Sequence, residues 1–304
     1  MKKGILVIGS LNMDISVEMS KMPVVGETVL GKAISYKTGG KGANQACAAG
    51  RLGGEVRMLG CIGPDEFGRK LAESLHNAGV ETGYLKESRN QPTGTAVIYV
   101  DQNGDNSIVV IPGANRECDT AYLKEQDEQF RWCDYVVLQM EIPYDAVWYA
   151  VKRAKELGKT VILNPAPAPE SIPEEIFGLT DYITPNETEL ATLSGITGED
   201  QEAVRCGAES LIQKGVGNVA VTLGERGAML VRADGERFYP ARKVNALDTT
   251  GAGDCFNGAL AAALAEGQKE DQALRFANLA ASIAVTRKGA QESLPGREEL
   301  ERIP

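Results

Sequence analysis

Histidine is nearly absent: His76 is the only one in 304 residues. A Ser/His/Asp triad or a multi-histidine metal site would depend on that one side chain, which lies in the helix-like run Asp65 to Ala78, so both chemistries are set aside. Cysteine occurs six times (47, 61, 118, 133, 206 and 255) but never as a Cys-x-x-Cys pair. A chain this long needs no disulfide staples, and the scatter points to reduced thiols in a cytoplasm. Positive charge is in deficit, with 32 Lys and Arg against 42 Asp and Glu and a formal net charge of -10. That balance argues against a nucleic-acid or anionic-membrane partner, because such surfaces need clustered cations, but it leaves local basic residues able to meet a phosphate. Long apolar runs are missing too. The opening M-K-K-G-I-L-V-I-G-S halts at Gly9 and Ser10, too short for a membrane span and without a signal-peptide cleavage pattern, and reads as a first buried strand.

What is present suits a large core, since 43% of the residues are hydrophobic. Strand-length apolar runs recur at Ile5 to Ile8, Val56 to Ile62, Tyr135 to Met140, Val161 to Leu163, Tyr182 to Thr184, Val219 to Leu223 and Ala228 to Val231. Helical periodicity lies between several of them, as in Val147, Ala150, Val151, Ala154, Leu157 and in Ala203, Val204, Ala208, Leu211, Ile212. Strand alternating with helix predicts an α/β fold whose mostly parallel sheet is covered on both faces, with ligands bound outside the carboxyl ends of the strands.

Four further runs break that rhythm. Asp14 to Met19 and Ala33 to Lys37 alternate weakly, and Thr95 to Val100 is joined to Ser107 to Ile111 through a segment whose Asn103-Gly104 is a hairpin signal. They predict a small β-sheet standing off the main one, inserted at about 13–38 and 94–112 in a single domain spanning 1–304. Its Val, Ile and Tyr suit a lid over the site, a dimer contact, or both.

The most unusual stretch is Asn245 to Leu264. A turn of Gly251, Ala252 and Gly253 runs into a helix with Phe256, Leu260, Ala263 and Leu264 at helical spacing, and Asp254 stands at its mouth. The free N–H groups and dipole of a helix start make an anion site. Asp254 then has two readings with equal claim: an N-cap that ties off the helix, or a general base facing a phosphate about to be attacked. Cys255 beside it is either a thiol activated by the helix start or a small buried residue.

Thr38-Gly39-Gly40-Lys41-Gly42-Ala43-Asn44-Gln45 reads as a glycine-rich loop before a small-residue helix from Ala46 to Gly50, with Lys41 and Asn44 as donors to hydroxyls or negative charge. Asn12 and Asp14 follow the first strand, at its carboxyl end, where they serve as turn residues or hold vicinal hydroxyls. Gln139-Met140-Glu141, Asn164-Pro165-Ala166-Pro167 and Thr184-Pro185-Asn186-Glu187-Thr188-Glu189 also end strands. In the last, Asn186 or Thr188 can cap a helix, and Glu189, one turn in, can hold Mg²⁺ through its waters. Thr222-Leu223-Gly224-Glu225-Arg226-Gly227 is another strand end, or a plain turn. Two nucleotide motifs fail: Gly26 to Ala33 nearly spells a P-loop but lacks its hydroxyl, and around Gly251 the dinucleotide fingerprint meets Phe256 where its third glycine belongs.

Taken together, S-L-N-M-D, G-G-K-G-A-N-Q-A, N-P-A-P-A, T-P-N-E-T-E, T-L-G-E-R-G, D-T-T-G-A-G-D and V-T-R-K-G-A-Q-E-S, in this order over essentially the whole chain, resemble the ribokinase family of ATP-dependent carbohydrate kinases. The resemblance implies a three-layer sandwich around a sheet of nine or so strands, with a β-lid that clasps a homodimer. It implies transfer of a phosphoryl group from ATP to the 5-hydroxyl of ribose, or alternatively to deoxyribose or another sugar. By the same resemblance Asn12, Asp14, Gly40, Lys41, Asn44 and Glu141 hold the sugar, Asp254 is the base, and Gly251, Ala252 and Gly253 form the anion hole. Asn186, Thr222, Gly224, Glu225, Arg226, Gly227, Gly253 and Asn278 are implied nucleotide contacts, with Glu189 in the Mg²⁺ network. Asp248, Thr250, Ala284, Arg287, Gly289 and Ser293 match a potassium loop that acts mostly through backbone oxygens. A reading from another class, a glycoside hydrolase pairing Asp14 or Glu141 with Asp254, or a sugar sensor, leaves the anion hole and T-P-N-E-T-E unexplained.

Overall fold

The computed structural model describes residues 3–198 and 200–303. Nine strands form the main sheet in the spatial order Gly235–Pro240, Gly227–Arg232, Asn218–Thr222, Tyr182–Ile183, Thr160–Leu163, Tyr135–Leu138, Gly4–Ile8, Glu55–Leu59, Val80–Glu81. All neighbours are parallel except the last two pairs at the Gly235–Pro240 edge. The first strand shows why the sheet is the middle layer: Ile5 and Val7 point into one apolar cluster and Leu6 and Ile8 into the other, all of them buried. The first cluster packs under helices Lys41–Arg51, Ala252–Ala265 and Glu270–Ala284, the second under Tyr144–Glu156, Glu187–Ser194 and Gln201–Gln213.

Helix Ala252–Ala265 is buried from Asp254 to Ala265, on every side. Its alanines and Gly258 let neighbouring backbone approach; a Cβ at Gly258 would sit 2.5 Å from Gln45 O and from Ala48 Cβ of helix Lys41–Arg51. The two helices therefore run in close contact, which brings their N-termini to the same place.

The second sheet has four strands, in the order Gly31–Gly39, Asn12–Met19, Gly94–Val100, Asn106–Ile111. The hairpin turns at Gly104, whose φ is 87°. Apolar side chains stay in solvent across this sheet, among them Ile34, Tyr36 and Ile108 to Ile111.

Four expectations shift. Helix Lys41–Arg51 begins at Lys41 rather than Ala46, so Lys41 and Asn44 are first-turn helical residues and not loop residues. Gly40 makes this possible: it is the N-cap with φ 89°, and a Cβ there would lie 2.6 Å from Asn12 N. The small-sheet run expected from Asp14 to Met19 starts two residues earlier, at Asn12, so Asn12 is a strand residue and not a turn residue. The run Val56 to Ile62 breaks at Gly60 into Glu55–Leu59 and Cys61–Ile62, the latter pairing with Lys86–Glu87 in a separate two-stranded sheet. The edge strand Gly235–Pro240 had no apolar signal because five of its six residues are exposed.

Candidate active site

Helix Ala252–Ala265 starts at a left-handed glycine. Gly251 is its N-cap with φ 73°, a backbone state that costs other residues about 1–2 kcal/mol. No side chain caps this helix, so the capping reading of Asp254 falls. Its carboxylate instead accepts from the neighbouring helix, with Asn44 Nδ2 at 2.9 Å from Oδ2 and Gln45 Nε2 at 3.0 Å from Oδ1. The first-turn N–H groups of Gly253 and Asp254 have no acceptor within the helix, and neither donates to a carbonyl of the preceding turn. A cleft of about 210 Å³ opens above them, lined by Gly251, Ala252, Gly253 and Asp254 together with Lys41, Asn186, Glu189, Thr222 and four residues from strand ends and the helix (Asn164, Ala166, Thr184, Asn257) as well as Thr249.

Around Lys41 the charges are dense. Lys41 stands among Asp254, Glu141, Glu189 and Asp14; burial works against its ammonium, yet the four carboxylates together hold its pKa above the ordinary lysine value. Asp14 is pushed up to about 7, first by burial, then by the charges of Glu141, Asp254 and Glu292, with Lys41 opposing. Burial also raises the Glu189 carboxyl, against the backbone N–H of Asn186 and the charge of Lys41. Glu141 closes the base of the helix start: its Oε2 accepts from Ser10 Oγ at 2.5 Å and from Lys41 N at 3.2 Å. Asn12 is anchored by Asn115, whose Nδ2 donates to Asn12 Oδ1 at 2.8 Å and to Leu11 O at 3.1 Å.

Asn186, which also lines the cleft, caps helix Glu187–Ser194 through a reciprocal capping box: Asn186 Oδ1 accepts from Glu189 N at 2.8 Å, and Glu189 Oε2 accepts from Asn186 N at 2.9 Å. Both side chains are thus partly committed to local structure. Thr222 bridges to Asn186 across the strand ends. Gly224, Glu225 and Arg226 follow as a short 3-10 turn into Gly227 (φ 113°), outside the cleft; Arg226 pairs with Glu187. Asn278 is buried under strand Gly235–Pro240, donating Nδ2 to Tyr239 O at 2.7 Å, and lines a separate pocket with Arg242 and Arg275.

The potassium candidates gather on two adjoining loops. Asp248 accepts from Thr250 N and Gly289 N, both at 2.9 Å, and burial of its carboxyl is outweighed by these bonds, which hold its pKa below the usual range. Leu247 N and Asp248 N donate to Val285 O at 2.8 and 3.2 Å, just past Ala284. Arg287 pairs with Glu299, and Ser293 Oγ donates to Ala290 O at 2.9 Å. Both Asp248 carboxylate oxygens are thereby engaged by backbone N–H groups. Among the described residues no group of three or more His, Cys, Asp or Glu is arranged to hold a metal. Glu189 at the cleft fits an ion that keeps most of its waters and takes one carboxylate, as Mg²⁺ does.

Cys255 is fully buried, and burial with the Asp254 charge drives its thiol far above the ordinary range, so the activated-thiol alternative fails. His76 is an exposed residue of helix Glu66–Asn77. Polar residues that the sequence did not single out as site residues complete the arrangement: Gln45, Gln139, Asn164, Thr184 and Asn115, all buried. Four of them end strands or open a helix, and a buried amide at such a place is the signal that could have found them.

The pfkB family carbohydrate kinase profile matches residues 2–297. A ribokinase of Bacillus subtilis is 40% identical over 301 residues, covering 99% of each chain. A deoxyribokinase of Salmonella typhi is 38% identical over 296 residues, covering 97% of each. The structure of Arabidopsis thaliana ribokinase complexed with ribose and ATP superposes with a TM-score of 0.93 at 35% identity, over 99% of this chain and 98% of that one. With its fold and its length shared with these relatives, the chain belongs to the pfkB family of carbohydrate kinases.

Proposed function

We propose that the protein transfers the γ-phosphoryl group of ATP to the 5-hydroxyl of D-ribose, releasing ADP and D-ribose 5-phosphate. The observation that carries this reading is the placement of Asp254: its carboxylate leaves its own helix start uncapped, is held by Asn44 and Gln45, and opens on the same cleft as the free N–H groups of the glycine turn. Relatives named as ribokinases, one with ribose and ATP bound, supply the substrates.

Asn12, Asp14, Gly40, Lys41, Asn44 and Glu141 bind and orient the sugar. Asp254 takes the proton of the 5-hydroxyl, the freed oxygen bonds to the γ-phosphorus, and the bond to the bridging oxygen breaks as ADP leaves. Gly251, Ala252 and Gly253 form the anion hole for the charge that gathers on the transferring group, chiefly through the Gly253 N–H, since that of Ala252 donates to Thr249 O at 3.2 Å. The chemistry asks the protein for alignment and charge stabilisation, and needs no histidine. On the nucleotide side Asn186, Thr222, Gly224, Glu225, Arg226, Gly227 and Asn278 line the approach. Glu189 would hold Mg²⁺ through water; the bound ion would offset charge between the phosphates. Asp248, Thr250, Ala284, Arg287, Gly289 and Ser293 would form the potassium loop, setting the shape of the glycine turn next to it.

A second reading, phosphorylation of deoxyribose, is favoured by the deoxyribokinase relative. A panel of ribose, 2-deoxyribose and other sugars, with ADP formation followed in the presence and absence of potassium, separates the two. Ribose is expected to give the highest kcat/KM, with potassium raising it. A clear preference for a sugar other than ribose would overturn the assignment.

A further inference from the structure

We propose that Gln45 is a positioning residue for the phosphoryl transfer: it holds Oδ1 of Asp254, so that Oδ2 is the oxygen that receives the sugar proton. The inference rests on Asp254 being the base, as argued above. Gln45 is completely buried in helix Lys41–Arg51. Its Nε2 donates to Asp254 Oδ1 at 3.0 Å and to Asn164 Oδ1 at 3.1 Å, while its Oε1 accepts from Gln139 Nε2 at 2.7 Å. All the hydrogen-bonding directions of one amide but one lone pair are thereby engaged.

The network does not stop there. Asn164 Nδ2 donates to Thr184 O at 3.0 Å, Thr184 Oγ1 donates to Asn257 Oδ1 at 2.6 Å, and Asn257 Nδ2 donates to Gly253 O at 2.9 Å. Beginning at the carboxylate, the chain of bonds crosses the carboxyl ends of neighbouring strands and returns to the glycine turn one residue before Asp254. Planar amides linked this way among buried residues have few alternative arrangements, and each lost partner leaves a buried polar group unsatisfied.

The two donors to Asp254 differ in what substrate does to them. Asn44 belongs to the proposed sugar set, and a hydroxyl that takes its amide releases Oδ2. Gln45 has no exposed surface to offer a sugar, so its bond to Oδ1 survives binding. The carboxylate is then fixed at one oxygen and free at the other. On transfer the 5-hydroxyl proton moves to Oδ2, the sugar oxygen bonds to phosphorus, and the bridging P–O bond breaks with its electron pair leaving on ADP.

The test uses Gln45→Met, which keeps length but removes every hydrogen bond, alongside Gln45→Met/Gln139→Met and Asp254→Asn. Gln45→Met is expected to lower kcat by about 10–100-fold, the scale of a small misplacement of a reacting group, with ribose KM within about threefold of the parent. The paired variant also removes the orphaned Gln139 amide, a change that is close to neutral when both partners become apolar. It is expected to return the thermal midpoint toward that of the parent while kcat stays low. A purely structural role predicts the reverse, with kcat recovering along with the midpoint, and that result overturns the proposal. So does a kcat within about twofold of the parent in Gln45→Met while Asp254→Asn is inactive. Near-normal turnover in Asp254→Asn instead removes the base assignment, and the positioning role with it.

Discussion

Asp254 accepts hydrogen bonds from a helix other than its own, which decides between a cap and a reactive group. A carboxylate that caps stabilises its own helix, whereas this one is held over a cleft by amides that also reach the strand ends. Asp254→Asn is expected to lower kcat by about 10²–10⁴-fold, the usual contribution of a general base, with ribose binding still measurable by calorimetry. Turnover close to the parent's would contradict the role. Asp14 is the second residue whose setting speaks for itself. Its pKa, raised to about 7 by burial and by Glu141, Asp254 and Glu292, means that the folded chain keeps a proton which the unfolded chain has lost above the ordinary carboxylate range. Between about pH 4 and pH 7 the folded state therefore binds more protons than the unfolded state, and this group's contribution to stability falls as pH rises. Replacing Asp14 by Asn removes that slope. In ligand-free thermal unfolding the Tm of Asp14→Asn relative to the parent should rise between about pH 5 and about pH 8. A difference that stays flat across that range would show that the carboxyl is not perturbed.

At the scale of elements, the site is the meeting of two helix N-termini, Lys41–Arg51 and Ala252–Ala265, drawn together by small residues along their contact. The glycines of the turn are not equivalent. Gly251 needs its left-handed backbone, and a Cβ there would also come within 3.3 Å of Ala290 Cα. Gly253 is helical, and a Cβ on it meets no atom within 4 Å because it would project into open space over the helix start. Gly253→Ala should therefore leave folding intact, adding up to about 1 kcal/mol from helix propensity. The same methyl would crowd an approaching phosphate, and KM for ATP is expected to rise by about tenfold, equivalent to about 1.4 kcal/mol. An unchanged KM for ATP would place the phosphates elsewhere. Helix Glu187–Ser194 illustrates the opposite economy, since Asn186 and Glu189 cap it and still line the cleft.

For the whole molecule, the small sheet is the part that the chain by itself leaves unfinished. Ile34, Tyr36, Ile108, Val109 and Val110 are each more than half exposed, and Ile111 is close behind. We propose that a second copy of the chain covers this row of apolar side chains. Sedimentation equilibrium at micromolar concentration should give a dimer, and a charge at its centre, Ile108→Asp, should give monomers with the main-sheet core intact. A parent protein that is monomeric under those conditions would refute the clasp. Among the described residues no helix is long and apolar enough to cross a membrane.

The amino-acid sequence by itself determined the alternation of strand and helix, the separate small sheet and the ordered motifs that end the strands, because each depends on local periodicity or on residue types that only certain turns accept. Seven apolar runs became strands of the main sheet, one of them divided at Gly60, and the Asn103-Gly104 turn closed its hairpin. Tertiary structure decided the rest. Whether Lys41 sits in a loop or a helix depended on Gly40 lying against Asn12, twenty-eight positions away. Whether Asp254 caps or faces the cleft depended on Asn44 and Gln45, about 210 residues distant. The buried amides from Gln139 to Asn257 take their meaning only from partners that packing brings together, since a hydrogen bond between remote residues leaves no period in the sequence for either of them to reveal.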